Sequence, residues 1–119
     1  MRKVYICSPY NDGDIMQNYV AAKTYCKKCI ETGELPIATH VYLPPLMQNG
    51  PIETESEREY AMSAALEFIG FCDVLRVYGS RISDGMKAEI EYAYENAIEV
   101  EFLCKTAEDA FWKGRKQNE

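Results

Sequence analysis

The sequence predicts a three-layer α/β fold, in which a parallel sheet of four or five strands lies between helices. Short apolar segments of strand length alternate along the chain with longer segments whose apolar residues recur at the helical period. Strands that alternate with helices pair in parallel through right-handed crossovers. The 119 residues suit one core and contain no segment typical of an interdomain linker, so residues 1–119 are expected to form a single domain.

The first predicted strand covers residues 4–8 and ends at Pro9. Asp12 and Asp14 can cap the helix that follows, and Gly33 is suited to end it. The buried face of this helix is expected to contain Ile15 or Met16, Tyr19, Ala22, Cys26, and Cys29 or Ile30.

The second predicted strand contains Leu35 and Ile37 and can extend to Val41. Residues 44–53 include three prolines and a glycine, which predicts a long loop of the kind that often serves a ligand. A capping box beginning at Thr54 or at Ser56 then predicts a helix. Its buried face is expected to contain Tyr60 or Ala61, Ala64 or Ala65, Phe68 and Ile69.

The third predicted strand covers residues 74–78 and is closed by Gly79. A helix from Ser83 to about Ala97 follows, with an apolar stripe of Met86, Ile90, Ala93 and Ala97. Residues 98–102 alternate apolar and acidic, which predicts a strand near the edge of the sheet. Thr106 can cap a last helix with Ala110, Phe111 and Trp112, and the polar tail 113–119 is expected to fray.

Composition excludes several function classes. The formal net charge of -6, from 13 basic and 19 acidic residues, argues against a duplex nucleic-acid binder, which needs a cationic face. No apolar run has transmembrane length, and the N-terminus lacks the apolar segment of a signal peptide, so no membrane association and a cytoplasmic location are expected. An odd number of cysteines, five, favours reduced thiols.

Cys26 and Cys29 form a Cys-x-x-Cys pair that invites a metal or redox interpretation. Zinc would need two further ligands at suitable spacing, and a redox pair belongs at the start of a helix rather than in its body. Core thiols are therefore the preferred interpretation, with neither metal nor cofactor expected.

The segment 83–89 lies between the third strand and its helix, where open α/β sheets bind their ligands. Glu89 flanks the buried face of this helix near its positive end. Ser83 suits the N-cap position, and the free N–H groups behind it can bind a phosphate that Gly85 allows to come close. Met86 and Gly79 lie at the same edge.

Ser8 and Tyr10 leave the first strand toward the same edge, because the first and third strands of a doubly wound sheet are usually neighbours. Ser8 is a candidate for binding a hydroxyl or phosphate, and Tyr10 for stacking on a base. His40, the single histidine, is a candidate for the pocket wall or for proton transfer. Each residue also has an ordinary structural interpretation: a surface acid, a helix cap, turn residues and a structural histidine.

Together these residues resemble the nucleoside 2-deoxyribosyltransferase superfamily. The resemblance is carried by Ser83-x-Gly85-x-x-x-Glu89 followed by Ile90 and Ala93, by Val4-Tyr5-Ile6-Cys7-Ser8-Pro9, and by Cys72-Asp73-Val74-Leu75, and it spans about residues 3–104. The chain is most similar to the small bacterial and phage branch, near the nucleoside 5′-monophosphate N-glycosidases. The resemblance implies a flavodoxin-like, Rossmann-like fold. It also implies homodimers or larger assemblies, in which the helix that contains Phe111 and Trp112 could supply contacts between subunits.

The resemblance also implies roles for individual residues. Glu89 matches the glutamate nucleophile, which attacks the anomeric carbon and forms a glycosyl-enzyme intermediate. Branches acting on free nucleosides carry Asp at the position of Ser83, whereas branches acting on 5′-monophosphates carry Ser there, so Ser83 favours a nucleotide, although the neighbouring Asp84 opposes a bound phosphate.

The chain departs from the family pattern at Ala65, where the family usually has an Asp that positions the nucleophile or assists the leaving base. Three hypotheses follow. The chain cleaves the N-glycosidic bond of a nucleoside 5′-monophosphate by hydrolysis or transfer, it binds nucleotides without turnover, or it is an interaction protein with a vestigial site.

Overall fold

The computed structural model describes residues 1–117, which form a four-stranded parallel sheet and five helices. In chain order the elements are β1 Lys3–Cys7, α1 Ile15–Glu31, β2 Leu35–Ile37, α2 Thr39–Met47, α3 Glu55–Gly70, β3 Val74–Val77, α4 Asp84–Glu95, β4 Glu99–Phe102 and α5 Lys105–Gln117. The predicted α/β fold class is confirmed, with the smaller of the two predicted strand numbers.

The strand order is β2-β1-β3-β4, and every pairing is parallel. Strands β1 and β3 are neighbours, with Cys7 level with Val77, so their carboxyl ends open side by side. The order reverses direction between β1 and β3, which makes their exits the switch point at which such sheets bind ligands. The predicted adjacency of the first and third strands is confirmed.

Alternation along the strands divides the core between the two faces of the sheet. One face carries Tyr5, Cys7, Leu75 and Val77 against α3, α4 and α5, including Phe111. The other carries Val4, Ile6, Val74 and Tyr78 against residues that include Cys29 of α1 and Ala38. Burial of each large apolar side chain contributes about 2 kcal/mol, which favours this strand register over one shifted by a residue.

The predicted helix caps are largely as expected. Asp14, Thr54 and Ser83 are the N-caps of α1, α3 and α4, and each side chain accepts a hydrogen bond from a backbone N–H in the first turn. Gly33 follows the C-cap of α1 with a φ of +78°. Helix α5 begins at Lys105, one residue before the Thr106 predicted as its cap.

The prediction of a loop over residues 44–53 is wrong for residues 44–47, which are helical. Helix α2 continues through Pro44 and Pro45 to Met47, and it also contains Val41, which was a candidate for the second strand. Thr39 and Leu43 are buried one turn apart, so tertiary packing stabilises this helix in spite of the prolines.

The predicted buried faces of α1 and α3 are confirmed at Ala22, Cys29, Ala65 and Ile69, and the prediction is wrong for the first turn of α1. In α1 the exposed side chains include Ile15, Met16 and Ile30, whereas Asn18 is buried. Asn18 donates hydrogen bonds to the carbonyl oxygens of Tyr10 and Asp12, and these bonds fix the rotation of the helix. In α3, Ala65 and Ile69 are buried as predicted, and of the alternatives Tyr60 and Ala61 it is Ala61 that is half-buried, while Tyr60 is exposed.

The C-terminal elements differ in detail. Ala97 is exposed and follows the end of α4, so it does not extend the apolar stripe. In α5 the buried side chains are Ala107 and Phe111, while Ala110 and Trp112 are exposed. Residues 113–117, predicted to fray, continue α5, and the remaining tail residues, Asn118 and Glu119, lie outside the described part.

The Cys26–Cys29 pair lies in the body of α1, with Cys29 buried and Cys26 half-buried. In the described residues 1–117, no cluster of three or more metal-binding side chains is found. Over the same range, no helix has the length and apolar character that crossing a membrane requires.

Helix α4 ends in a Schellman motif whose left-handed residue is Ala97, with a φ of +57°. The N–H groups of Ala97 and Ile98 donate to the carbonyls of Tyr94 and Ala93 at 3.3 and 2.8 Å. Replacing Ala97 by Gly removes the steric cost of this conformation and should stabilise the fold by roughly 0.5–1 kcal/mol in urea unfolding.

Gly33 provides the matched control for Ala97, because it occupies the same position in the same motif at the end of α1. A Cβ at Gly33 would meet open space, so Gly33→Ala introduces only the backbone cost. The two substitutions should shift the unfolding free energy in opposite directions, and shifts of the same sign would contradict this account of Ala97.

Candidate active site

A cavity of about 490 Å³ opens at the carboxyl ends of β1 and β3. Its wall is formed by the loop after β1, by α2, by the first half of α3, and by the start of α4 with the loop before it. The residues that were predicted for the site and that line this cavity are Ser8, Tyr10, His40, Ser83, Gly85, Met86 and Glu89. Gly79 is not among the lining residues.

Glu89 is held by two side chains of the central strand β1. The Tyr5 hydroxyl donates a hydrogen bond to one carboxylate oxygen at 2.6 Å, and the Cys7 thiol lies 3.5 Å from the other. Tyr5 and Cys7 are two residues apart on a strand, so both point to the face covered by α4. The carboxylate is therefore fixed from below by the sheet, and its residue lines the cavity.

The surroundings of Glu89 set its charge. Burial raises the pKa of Glu89 to about 7, against the hydrogen bonds from Tyr5 and Cys7, which favour the ionised form. Burial also raises the pKa of Tyr5 well above its ordinary value, and the adjacent Glu89 adds to that effect. Tyr5 thus remains a donor, while Glu89 changes charge near neutral pH.

Ser8 and His40 form a second polar pair in the cavity, with 2.9 Å between the Ser8 hydroxyl oxygen and Nε2 of His40. Burial lowers the pKa of His40 to about 4, so its imidazole is neutral at physiological pH. The neighbouring Thr39 places its hydroxyl oxygen 3.3 Å from that of Tyr5. The start of α2 is thereby tied to both pairs.

The start of α4 is suited to bind an anion. The Ser83 hydroxyl accepts the N–H of Met86 at 3.3 Å. The first N–H groups of a helix have no partner within it, and Asp84 and Gly85 line the cavity where those groups lie. The Asp84 carboxylate at the same place opposes an anion.

Arg81 joins the two loops that flank the cavity. Its guanidinium donates to the backbone carbonyl of Asp12 at 3.2 Å and lies 3.4 Å from both the Asp12 carboxylate and the Asn18 side-chain oxygen. A Cβ on Gly13 would come within 3.1 Å of this guanidinium, so a glycine allows the close approach. The loop after β1 is therefore fastened to the loop before α4.

Sequence reasoning missed several residues of this site. Thr39, Arg58 and Asp12 line the cavity, and Tyr5 holds Glu89. Tyr5 carried a usable signal, since a tyrosine in a buried strand needs a partner for its hydroxyl. Arg58 carried none, because only the packing of α3 brings its first turns to the cavity. Tyr10 lines the cavity with its hydroxyl accepting from Gln48 at 2.9 Å.

The family model described as Domain of unknown function (DUF7768) matches residues 2–103. The chain belongs to this family. The matched range of the DUF7768 domain contains β1 through β4 and every cavity residue named above. A search of curated proteins gives no significant match.

Two solved structures are similar to this DUF7768 domain. One is a 2-deoxyribosyltransferase from the psychrotolerant bacterium Bacillus psychrosaccharolyticus, with a TM-score of 0.63 and 16% identity over 84% of this chain and 70% of that one. The other is a conserved protein from Enterococcus faecalis V583, with a TM-score of 0.53 and 17% identity over 86% of this chain and 62% of that one. At such identities the likeness shows a shared fold, and the predicted deoxyribosyltransferase-like architecture is confirmed.

The raised pKa of Glu89 links its ionisation to stability. Its pKa lies near 4.5 in an unfolded chain and at about 7 in the fold, so the contribution of Glu89 is fully present below pH 4.5 and is lost as the pH rises through 7. The side chain introduced by Glu89→Gln stays neutral at every pH. The free energy of unfolding of this variant, relative to that of wild type, should therefore rise by roughly 3 kcal/mol between pH 4.5 and pH 8.

Urea unfolding at several pH values measures this gain. Glu95→Gln is the matched control, because Glu95 is an exposed carboxylate on the same helix. A constant difference between Glu89→Gln and wild type across this pH range would contradict the proposed environment of Glu89.

Proposed function

We propose that the protein cleaves the N-glycosidic bond of a nucleoside 5′-monophosphate, with Glu89 as the nucleophile. The observation that carries the proposal is the Glu89 carboxylate, fixed by Tyr5 at 2.6 Å beside a cavity that can hold a small ligand. A carboxylate with a pKa of about 7 is ionised in a large fraction of molecules at neutral pH. The fold shared with a 2-deoxyribosyltransferase supports the same reaction class.

In the proposed reaction, a Glu89 oxygen bonds to the anomeric carbon as the bond from that carbon to the base nitrogen breaks. The electron pair of the broken bond stays with the base. Water, or a second base, then attacks the anomeric carbon and releases Glu89 as a carboxylate. The proton that the attacking water or base loses balances the negative charge of the base that departed. Tyr5 donates to one carboxylate oxygen throughout, and the other oxygen, which the Cys7 thiol contacts at 3.5 Å, is the proposed nucleophile.

The start of α4 is the proposed phosphate site. Ser83 and the N–H groups of Asp84 and Gly85 supply donors at the positive end of the helix dipole. Ser8 faces the same cavity, and Arg58 provides a cation on the wall formed by α3. His40 and Tyr10 are proposed to contact the base or the sugar.

A second candidate function is nucleotide binding without turnover. It is favoured by Ala65, which lines the cavity where the resemblance expects an assisting Asp. Recovery of intact nucleotide after long incubation, together with calorimetric binding, would support this alternative. Appearance of free base would exclude it.

Incubation with a panel of ribo- and deoxyribonucleoside 5′-monophosphates tests catalysis, with release of free base followed by chromatography. Glu89→Gln removes the nucleophile and should lower the rate at least about 1000-fold, since loss of a covalent catalyst forfeits its whole pathway. Glu95→Gln, on the exposed side of α4, should retain the wild-type rate. Equal base release by wild type and Glu89→Gln would disprove the proposal.

Ser83→Ala tests the phosphate site separately from its capping role. Loss of the cap should cost about 1 kcal/mol of stability, as should Asp14→Ala at the start of α1. Only Ser83→Ala should raise KM, about 10-fold for a nucleotide and much less for the corresponding nucleoside. An equal rise in KM for both substrates would exclude phosphate binding by Ser83.

A further inference from the structure

We propose that the base of the substrate carries a positive charge while it is bonded to the sugar, as in an N-ribosylpyridinium or an N7-alkylated purine nucleotide. Such a base leaves as a neutral molecule, and no residue has to protonate it. The inference rests on the proposed function and specifies its substrate class. The argument depends on the side chains that line the cavity at the same depth as Glu89.

Helices α3 and α4 run side by side in the same direction, since both return across the same face of a parallel sheet. Gly85 of α4 and Met62 of α3 lie at the same level along the two helices, because a Cβ on Gly85 would lie 3.9 Å from the sulfur of Met62. Glu89 lies one turn further along α4, and Ala65 lies about one turn further along α3. The wall beside Glu89 is therefore formed by Ala65.

The cavity wall contributed by α3 is apolar at this depth. It consists of Ala61, Met62 and Ala65, and these side chains supply no proton. The ionisable residue of the same wall is Arg58, seven residues before Ala65 and hence about 10 Å away along the helix axis. Glu53 precedes the helix and lies further still toward the mouth. Both therefore lie toward the mouth of the cavity, about two helical turns or more from the level of Glu89.

The opposite wall offers no better acid. Burial lowers the pKa of His40 to about 4, so its imidazole is neutral at pH 7, and its Nε2 is already hydrogen-bonded with the Ser8 hydroxyl at 2.9 Å. The Tyr5 proton is committed to Glu89 itself. Asp12 is paired with Arg81, and Asp84 is the first residue of α4, about 7.5 Å from Glu89 along the helix axis.

A neutral base that leaves with the electron pair of the broken bond becomes an anion, and enzymes avoid that anion by protonating the base as it departs. A base that is already cationic accepts the same electron pair and becomes neutral. The balance is then complete: Glu89 gains a bond to carbon, the base gains an electron pair, and no proton moves. Water in the second step supplies the hydroxyl group of the sugar and releases one proton to solvent.

The charge of the cavity points to the same class of base. Its lining contains four acidic residues, Asp12, Glu53, Asp84 and Glu89, of which Asp12 is paired with Arg81. In the described part of the chain, the lining residue with a permanent positive charge is Arg58. A nucleotide with a cationic base carries one unit less negative charge than its neutral counterpart. It therefore meets less repulsion in this cavity, and its base is attracted to the carboxylates.

Two matched pairs of nucleotides test the inference, each pair differing in the charge of the base. They are 7-methylguanosine 5′-monophosphate with guanosine 5′-monophosphate, and nicotinamide mononucleotide with its reduced form. Because a general acid contributes about 100-fold or more, kcat/KM for each cationic member should exceed that of its neutral partner by at least about 100-fold. Base release should be lost in Glu89→Gln.

The pH profile with nicotinamide mononucleotide gives a second readout. As no acid is required, kcat/KM should rise as the substrate phosphate, with a second pKa of about 6, and Glu89, with a pKa of about 7, ionise, and it should then stay level. Catalysis that uses a general acid falls again at higher pH. A bell-shaped profile would overturn the inference.

The outcomes separate this inference from the proposed function. If the neutral nucleotides are cleaved as fast as the cationic ones, and cleavage depends on Glu89, the inference is wrong and the proposed function stands. If neither member of either pair releases its base, and the wider panel of nucleotides also stays intact, both are wrong.

Discussion

The hydrogen bond from Tyr5 to Glu89 is the interaction on which the rest of this site depends. It joins the central strand of the sheet to the helix that follows β3, at 2.6 Å between oxygens. A buried carboxylate without donors would cost several kcal/mol, and it would be neutral or would point elsewhere. With Tyr5 and Cys7 beneath it, Glu89 keeps a pKa of about 7 and a fixed orientation, so a large fraction of molecules carry it as a carboxylate at neutral pH.

The sheet order makes this bond possible. Because β1 lies between β2 and β3, its side chains Tyr5 and Cys7 come under α4 rather than at an exposed edge. The same order brings the loop after β1 and the loop before α4 together, where Arg81 fastens them through Asp12. The cavity is thus bounded by segments that are distant in sequence and that the parallel pairing holds in register.

The walls of the cavity differ in chemistry according to the element that supplies them. The loops and helix starts at the carboxyl edge provide the hydroxyls of Ser8 and Ser83. They also provide free N–H groups, because the first backbone donors of a helix have no partner within it. The body of α3 provides small apolar side chains, Ala61 and Ala65, because the same helix also packs against the sheet. A ligand in this cavity therefore meets donors at one end and an apolar wall beside Glu89.

From the rule that ligands bind where parallel strands end, the sequence predicted a site that includes Ser8, His40 and Glu89. The sequence by itself also determined the alternation of strands and helices and the cap at Ser83, and it narrowed the caps of α1 and α3 to Asp12 or Asp14 and to Thr54 or Ser56. These features follow from local hydrogen bonding and from residue periods of two and 3.6, which are written in neighbouring residues. Only the tertiary structure decided that Pro44 and Pro45 continue a helix, that α1 turns Asn18 inward, that Tyr5 binds Glu89, and that Arg58 reaches the cavity. Each of these features depends on contacts between segments far apart in the chain. The energy of such contacts exceeds the conformational preference of the local sequence, and no pattern among neighbouring residues indicates them.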